Sequence, residues 1–146
     1  MMMMNAIQFT PNRNPENTLE WLAWSAFLAD SKKALDVTLL ETKNVTQIAD
    51  YFLIVTGESR AQVRAITEEI KEQFKHAGLP HVGDERDANA SWCLLDYGDF
   101  VIHVMQPEQR EFYNLEGYWN HAEVIETETW HGLAKSLGLN WEIEAA

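Results

Sequence analysis

The chain has 146 residues, 46% of them apolar, and 23 acidic against 11 basic side chains give a formal charge of −12. That length and composition suit one globular domain with a sizeable core, while the charge argues against nonspecific attraction to nucleic acid or anionic lipid, because phosphate-neutralising cations are scarce. A single cysteine, Cys93, excludes an intrachain disulfide framework and a cysteine-based zinc site.

No apolar run is long enough to span a bilayer, and the start lacks both a basic stretch and a signal-peptide core. A cytoplasmic protein is expected. Residues 1–16 are polar, with Pro11, Pro15 and three asparagines, and read as a flexible tail. Asn17 followed by Glu20 resembles a capping box and opens a helix to about Lys33. Its broad stripe of Leu19, Leu22, Ala26 and Ala29, widened by Trp21, Trp24 and Phe27, reads as core. Leu35–Glu41 alternates and predicts a half-covered strand. Residues 42–50 connect it to a second, fully buried strand over 51–55.

Thr56-Gly57-Glu58-Ser59 is a strand-to-helix turn, and Ser59 with Gln62 forms a second capping box. Val63, Ile66, Ile70 and Phe74 make one apolar stripe, and Gly78 and Pro80 end that helix. Residues 81–90 are irregular, with a short edge strand expected near Val82. Residues 92–95 and Phe100–Met105 form a hairpin around Asp96-Tyr97-Gly98-Asp99, a turn with local acceptors and a glycine. The second strand is apolar on both faces and should be central and covered on both. Pro107 starts a further helix with Phe112, Leu115 and Trp119 on one stripe, weakened by Gly117. Beyond residue 120 the chain reads as a tail, in which Trp130, Leu133 and Leu137 suggest a short helix closed by Gly138. The order predicts an α/β fold with a mixed sheet.

No catalytic site emerges. Gly57-x-Ser59 after a strand resembles the opening of a nucleotidyltransferase motif, but the carboxylates at the right distance, Glu68, Glu69 and Glu72, fall on a helix and supply no Mg²⁺ pair. Asp84, Glu85, Asp87, Asp96 and Asp99 match no metal motif. The five histidines form no H-x-x-x-H pair, and His103 reads as a core or interface residue. Cys93 reads as a small buried apolar residue. No metal or cofactor is expected. The aromatic density of the hairpin and the next helix, from Trp92 and Tyr97 to Tyr113, Tyr118 and Trp119, instead suggests a docking surface.

These residues carry a resemblance. Lys33-Ala34-x-Asp36-Val37, Ile48-Ala49-Asp50-Tyr51-Phe52-Leu53-Ile54-Val55-Thr56-Gly57-x-Ser59 and Gln62-Val63-x-Ala65-Ile66 occur in order. Glu85, Trp92, Leu94-Leu95-Asp96-Tyr97-Gly98-Asp99-x-x-Ile102-His103-Val104 and Glu108-x-Arg110-x-Phe112-Tyr113-x-Leu115-Glu116-x-x-Trp119 follow. Over about residues 19–122 the chain resembles the ribosomal silencing factors, also called Iojap-related proteins. It departs from them in having Arg86 where a glycine is frequent, and in the offset Ala90-Ser91 before Trp92.

The resemblance implies a mixed β-sheet packed with helices, with nucleotidyltransferase-like topology but without the catalytic carboxylates. It divides the chain into a tail over 1–16, a domain over 17–122 and an extension over 123–146. It implies a non-enzymatic protein that binds the large ribosomal subunit through its protein number fourteen, blocks joining of the small subunit and represses translation under nutrient limitation. It also implies a tendency to homodimerise. The expected contact surface is Trp92, Leu94, Asp96, Tyr97, Asp99 and His103, supported by Arg110 and Tyr113. Trp92 and the 96–99 turn are expected to be exposed, and residues 100–104 buried. The alternative is a nucleotide-binding enzyme of nucleotidyltransferase type.

Overall fold

The computed structural model describes residues 4–5, 9–141 and 144–145. It is built on a six-stranded sheet in which β2 (Leu35–Glu41), β3 (Tyr51–Thr56), β4 (Gly83–Arg86), β5 (Trp92–Asp96), β6 (Phe100–Met105) and β7 (Glu123–Ile125) lie in the order β4-β5-β6-β3-β2-β7. Only β3 and β6 run parallel; every other pair is antiparallel, so the sheet is mixed as expected. Those two central strands are buried at every position. A separate ribbon pairs β1 (Met4–Asn5) with β8 (Glu144–Ala145) near the chain ends.

Two helices cover one face, and a third packs on the outer side of the first. In α1 (Thr18–Ser31), the Asn17 side chain accepts the Glu20 N–H at 3.0 Å, while the Glu20 carboxylate accepts from the Glu16 N–H at 2.8 Å. The box forms, shifted back by one residue. Residues 22–29 of α1 are all buried, because it is walled by the sheet on one side and by α5 (Thr127–Ser136) on another. A helix apolar all round requires such double cover.

The α2 helix (Arg60–His76) turns Val63, Ile66, Ile70 and Phe74 inward along its predicted stripe. Ser59 Oγ accepts the Gln62 N–H at 3.1 Å, and Gln62 Oε1 accepts the Glu58 N–H at 2.7 Å. The same Gln62 amide donates to the Lys32 and Lys33 carbonyls at 3.0 Å, capping the C-terminal end of α1 as well. Gly57 lets the turn close tightly, since a Cβ there would lie 2.9 Å from Val63 Cγ2. Gly78, at φ +91°, ends α2 as expected.

Four sequence expectations need correcting. The stripe Phe112–Leu115–Trp119 is not one helix. It is broken into α3 (Pro107–Tyr113) and α4 (Leu115–Tyr118) by Asn114, which adopts φ 44° and accepts the Gly117 N–H with its own side chain at 3.2 Å. Phe112 is consequently 80% exposed. Second, β2 is not simply half-covered: a bulge between Leu35 and Thr38, with Asp36 at φ 50°, shifts its register, Leu35 is exposed, and Leu39 and Leu40 are buried on the two opposite faces.

Third, the extension beyond residue 122 holds more than the expected short helix, which forms as α5. β7 pairs with β2, and α5 buries Trp130 and Ala134 against α1. Fourth, the part of the expected flexible tail that is described, residues 9–16, is fastened. Trp24 Nε1 donates to the Phe9 carbonyl at 2.9 Å, Asn12 N–H donates to the Leu137 carbonyl at 2.7 Å, and Arg13 pairs with Glu20 at 2.8 Å. The expectation for residues 1–3, 6–8, 142–143 and 146 lies outside the described residues. Among the described residues, no helix is long and apolar enough to cross a membrane.

Candidate functional site: an open aromatic groove on the sheet

The sheet has two unlike faces. Toward α1 and α2, alternate residues of β5 and β6 (Cys93, Leu95, Phe100, Ile102 and Val104) join the main core. The opposite face carries a smaller cluster of Leu40, Ala49, Phe52, Ile54, Val101 and Met105, with Trp92, Leu94, Leu115, Trp119 and Ala122 partly buried against it. No long helix among the described residues covers this second face; the short α3–α4 segment and parts of the flanking loops pack on it and leave a groove of about 320 Å³.

Strand register builds the groove. Leu94 of β5 lies opposite His103 of β6, which lies opposite Ile54 of β3, and Glu85 of β4 lies opposite Leu94 on the other side. Trp92, Leu94 and Asp96 therefore point the same way, two residues apart. An arc of rings crosses this face: Tyr113 sits 4.7 Å from Trp92, Trp92 5.8 Å from His103, His103 5.2 Å from Phe52, and Phe52 5.8 Å from Trp119. Acidic Glu85 and Asp96 stand among the lining residues. Glu85 is held in place because its neighbours Asp84 and Arg86 form an ion-pair cluster with Lys71 and Glu68 of α2, which pins the edge strand β4.

The expected contact residues divide. Trp92, Leu94, Asp96 and His103 come together in the groove, and Tyr113 packs at its edge with its ring tilted against Trp92, half exposed. Asp99 is exposed in the hairpin turn, outside the groove. Gly98, at φ +86°, completes that turn and donates to Asp96 Oδ1 at 2.8 Å.

Tyr97 is a correction. It is only 7% exposed and lies on the helical face, stacked on Phe100 at 5.1 Å and edge-on to Phe74 of α2 at 5.2 Å. Strand alternation dictates this, since Tyr97 follows Asp96 by one residue. Burial pushes its phenol well above the usual tyrosine range. His103 is also less exposed than a contact residue was expected to be, at 5%, and burial holds its imidazole down to about 4.

Arg110 is no free surface cation either. Its guanidinium donates to the Asp36 carbonyl (2.6 Å), Thr56 Oγ1 (3.0 Å), Thr38 Oγ1 (2.9 Å) and the Glu116 carboxylate (2.7 Å). It straps α3–α4 to the β2 bulge and so holds one wall of the groove. Groove residues that sequence reasoning left out of the site are Ile48, Phe52, Glu85, Val101, Leu115 and Trp119. Leu115 and Trp119 were legible as an apolar stripe, but nothing local marks Phe52 as facing away from the helices.

The remaining chemistry-bearing groups are occupied elsewhere. Glu68, Glu69 and Glu72 on α2 face separate cationic or amide partners, namely Arg86, Lys32 with Gln73, and His76. Burial raises the Cys93 thiol, which disfavours a nucleophilic thiolate. Among the described residues no three of His, Cys, Asp and Glu gather to hold a metal ion.

The family model described as "Ribosomal silencing factor during starvation" matches residues 15–142, nearly the whole chain. The chain belongs to the ribosomal silencing factor family. The match runs past residue 122 and takes in β7 and α5, consistent with their place in the fold. Ribosomal silencing factor RsfS of Halalkalibacterium halodurans is 39% identical over 109 residues, covering 75% of this chain and 93% of that protein. RsfS of Bacillus subtilis is 39% identical over 102 residues, covering 70% and 86%. A crystal structure of a Chromobacterium violaceum protein superposes with a TM-score of 0.69 at 30% identity, covering 72% of this chain and 88% of that one. The mixed α/β architecture is thus that of solved structures similar to this ribosomal silencing factor family member.

Proposed function

We propose that this protein is a non-enzymatic ribosomal silencing factor that docks its open sheet face on protein fourteen of the large ribosomal subunit and blocks joining of the small subunit. The groove carries this reading. Its floor and walls are apolar and aromatic, with Phe52, Leu94, Leu115 and Trp119 presented beside Trp92, and Glu85 and Asp96 stand among them. Rigid aromatic area in a partly desolvated pocket is the usual centre of a protein–protein hot spot. The acids suit a basic partner, and the charge of −12 repels the protein from bare RNA phosphates, which favours a protein landing site. A cytoplasmic location and a homodimeric form in solution go with this proposal, and light scattering at several concentrations reads the second.

Sedimentation of purified large subunits with this protein, followed by a subunit-joining assay, tests the proposal. The expected result is co-sedimentation of wild type, inhibition of joining, and loss of both in folded Trp92→Ala. Wild type that stays in the supernatant at micromolar concentration would remove it.

A further inference from the structure

His103 is set in the floor of the groove in a defined chemical form. Its Nδ1 lies 3.1 Å from Trp92 Nε1. An indole N–H can only donate, so Nδ1 is the accepting, unprotonated nitrogen, and the neutral ring must carry its proton on Nε2. Among the described residues that Nε2 has no hydrogen-bond partner, yet it is not sealed off. Among the described residues, the one fully buried side-chain nitrogen or oxygen without a hydrogen-bond partner is the Tyr97 hydroxyl. The Nε2–H therefore opens on the groove that His103 lines with Phe52, Leu94 and Trp119. Charging the ring would set Nδ1–H against the Trp92 N–H at 3.1 Å, donor to donor, and burial opposes it independently. At neutral pH the ring stays an uncharged donor.

The occupant follows from what surrounds this donor. A carboxylate acceptor would meet Glu85 and Asp96 in the same groove. A cationic group directly over His103 would place donor against donor. An uncharged acceptor flanked by cations satisfies both constraints, and a basic protein segment supplies it with its main chain. We infer that His103 is a tautomer-locked hydrogen-bond donor in the groove floor, and that it receives a main-chain carbonyl of a basic protein segment whose cationic side chains meet Glu85 and Asp96. Trp92 then has two roles, as groove wall and as the group that fixes which His103 nitrogen carries the proton. This rests on the reading of the groove as the docking face.

Two measurements test it. Long-range ¹H–¹⁵N correlation on the labelled protein reads the tautomer directly. A His103 ring protonated on Nε2 alone at pH 7 is expected, and a ring protonated on Nδ1, or on both nitrogens, overturns the inference without any partner present. For binding, His103→Gln keeps an amide donor and a carbonyl that can accept from Trp92, whereas His103→Leu keeps bulk only. With near-UV circular dichroism confirming that both fold, sedimentation with large subunits should place the Gln variant within roughly threefold of wild type. The Leu variant should be weaker by roughly tenfold or more, since the partner's oxygen is then buried unpaired. Equal binding by the Leu variant and wild type, or equal loss in both variants, rejects the donor role. If Trp119→Ala also binds like wild type, the groove is not the docking face, and it is the underlying reading that fails.

Discussion

The Arg110 guanidinium approaches the Asp36 carbonyl to 2.6 Å across 74 positions of sequence. Asp36 sits in the bulge of β2 at positive φ, and Arg110 also binds Thr38, Thr56 and Glu116. One side chain thus joins β2 and β3 to the α3–α4 segment, in which neither short helix contains a buried residue. The groove's Leu115–Trp119 wall therefore stands on a polar strut.

Removing that strut should be costly. Arg110→Ala leaves Glu116 without its ion-pair partner and frees the α3–α4 wall, and a loss of about 3 kcal/mol is expected by chemical denaturation. Arg110→Lys should recover only part of it, because an ammonium cannot reproduce the forked contacts to four partners. Wild-type stability in the Ala variant would show the strut to be dispensable.

The groove residues should separate binding from folding. Leu94→Glu adds a third carboxylate beside Glu85 and Asp96 on a half-buried position. Affinity for large subunits should fall by about 2 kcal/mol, as for a hot-spot loss, with a change of no more than about 1 kcal/mol in unfolding free energy. A Leu94→Glu protein that sediments with large subunits as wild type does would contradict this placement.

Tyr97 offers the reverse case. Its hydroxyl is buried with no hydrogen-bond partner among the described residues, so Tyr97→Phe removes an unsatisfied polar group and should leave stability unchanged or raise it by up to about 1 kcal/mol. Binding should not change, since the ring faces α2 rather than the groove. Tyr97→Asp should prevent folding, because it buries a carboxylate against Phe74 and Phe100. A folded Tyr97→Asp that fails only in binding would mean the side chain is a contact after all.

Two groups should make the protein acid-sensitive in separate steps. His103 is held down from 6.5 to about 4 by burial, so the unfolded chain takes up its proton first and stability falls as pH drops through that interval. Glu20 is lowered from 4.5 to about 2 by its hydrogen bonds to Arg13 and to the Glu16 N–H. Its contribution is complete above about 4.5 and is lost as pH falls toward 2. Urea midpoints measured from pH 7 to 3 should decline in wild type, with a shallower slope above pH 4 in His103→Gln and below pH 4.5 in Glu20→Gln. Unchanged slopes would assign the acid sensitivity to other groups.

Much of this protein was legible in the sequence because it is local. Side-chain caps at Asn17 and Ser59, the inward stripe of α2, the glycines at 78 and 98 and the two-sided β6 strand depend on neighbours a few residues away. The family motifs ride on the same segments. What only the tertiary structure decided concerns faces and long-range partners. Alternation along β5 and β6 separates Trp92, Leu94 and His103 from Leu95, Tyr97 and Phe100, but both sets are mostly apolar, so pattern alone does not say which lies under helices. That choice was made by α1 and α2 covering one face, while Asn114 broke the helix that starts at Pro107 and Arg110 tied its pieces to β2. The groove exists because that covering is one-sided.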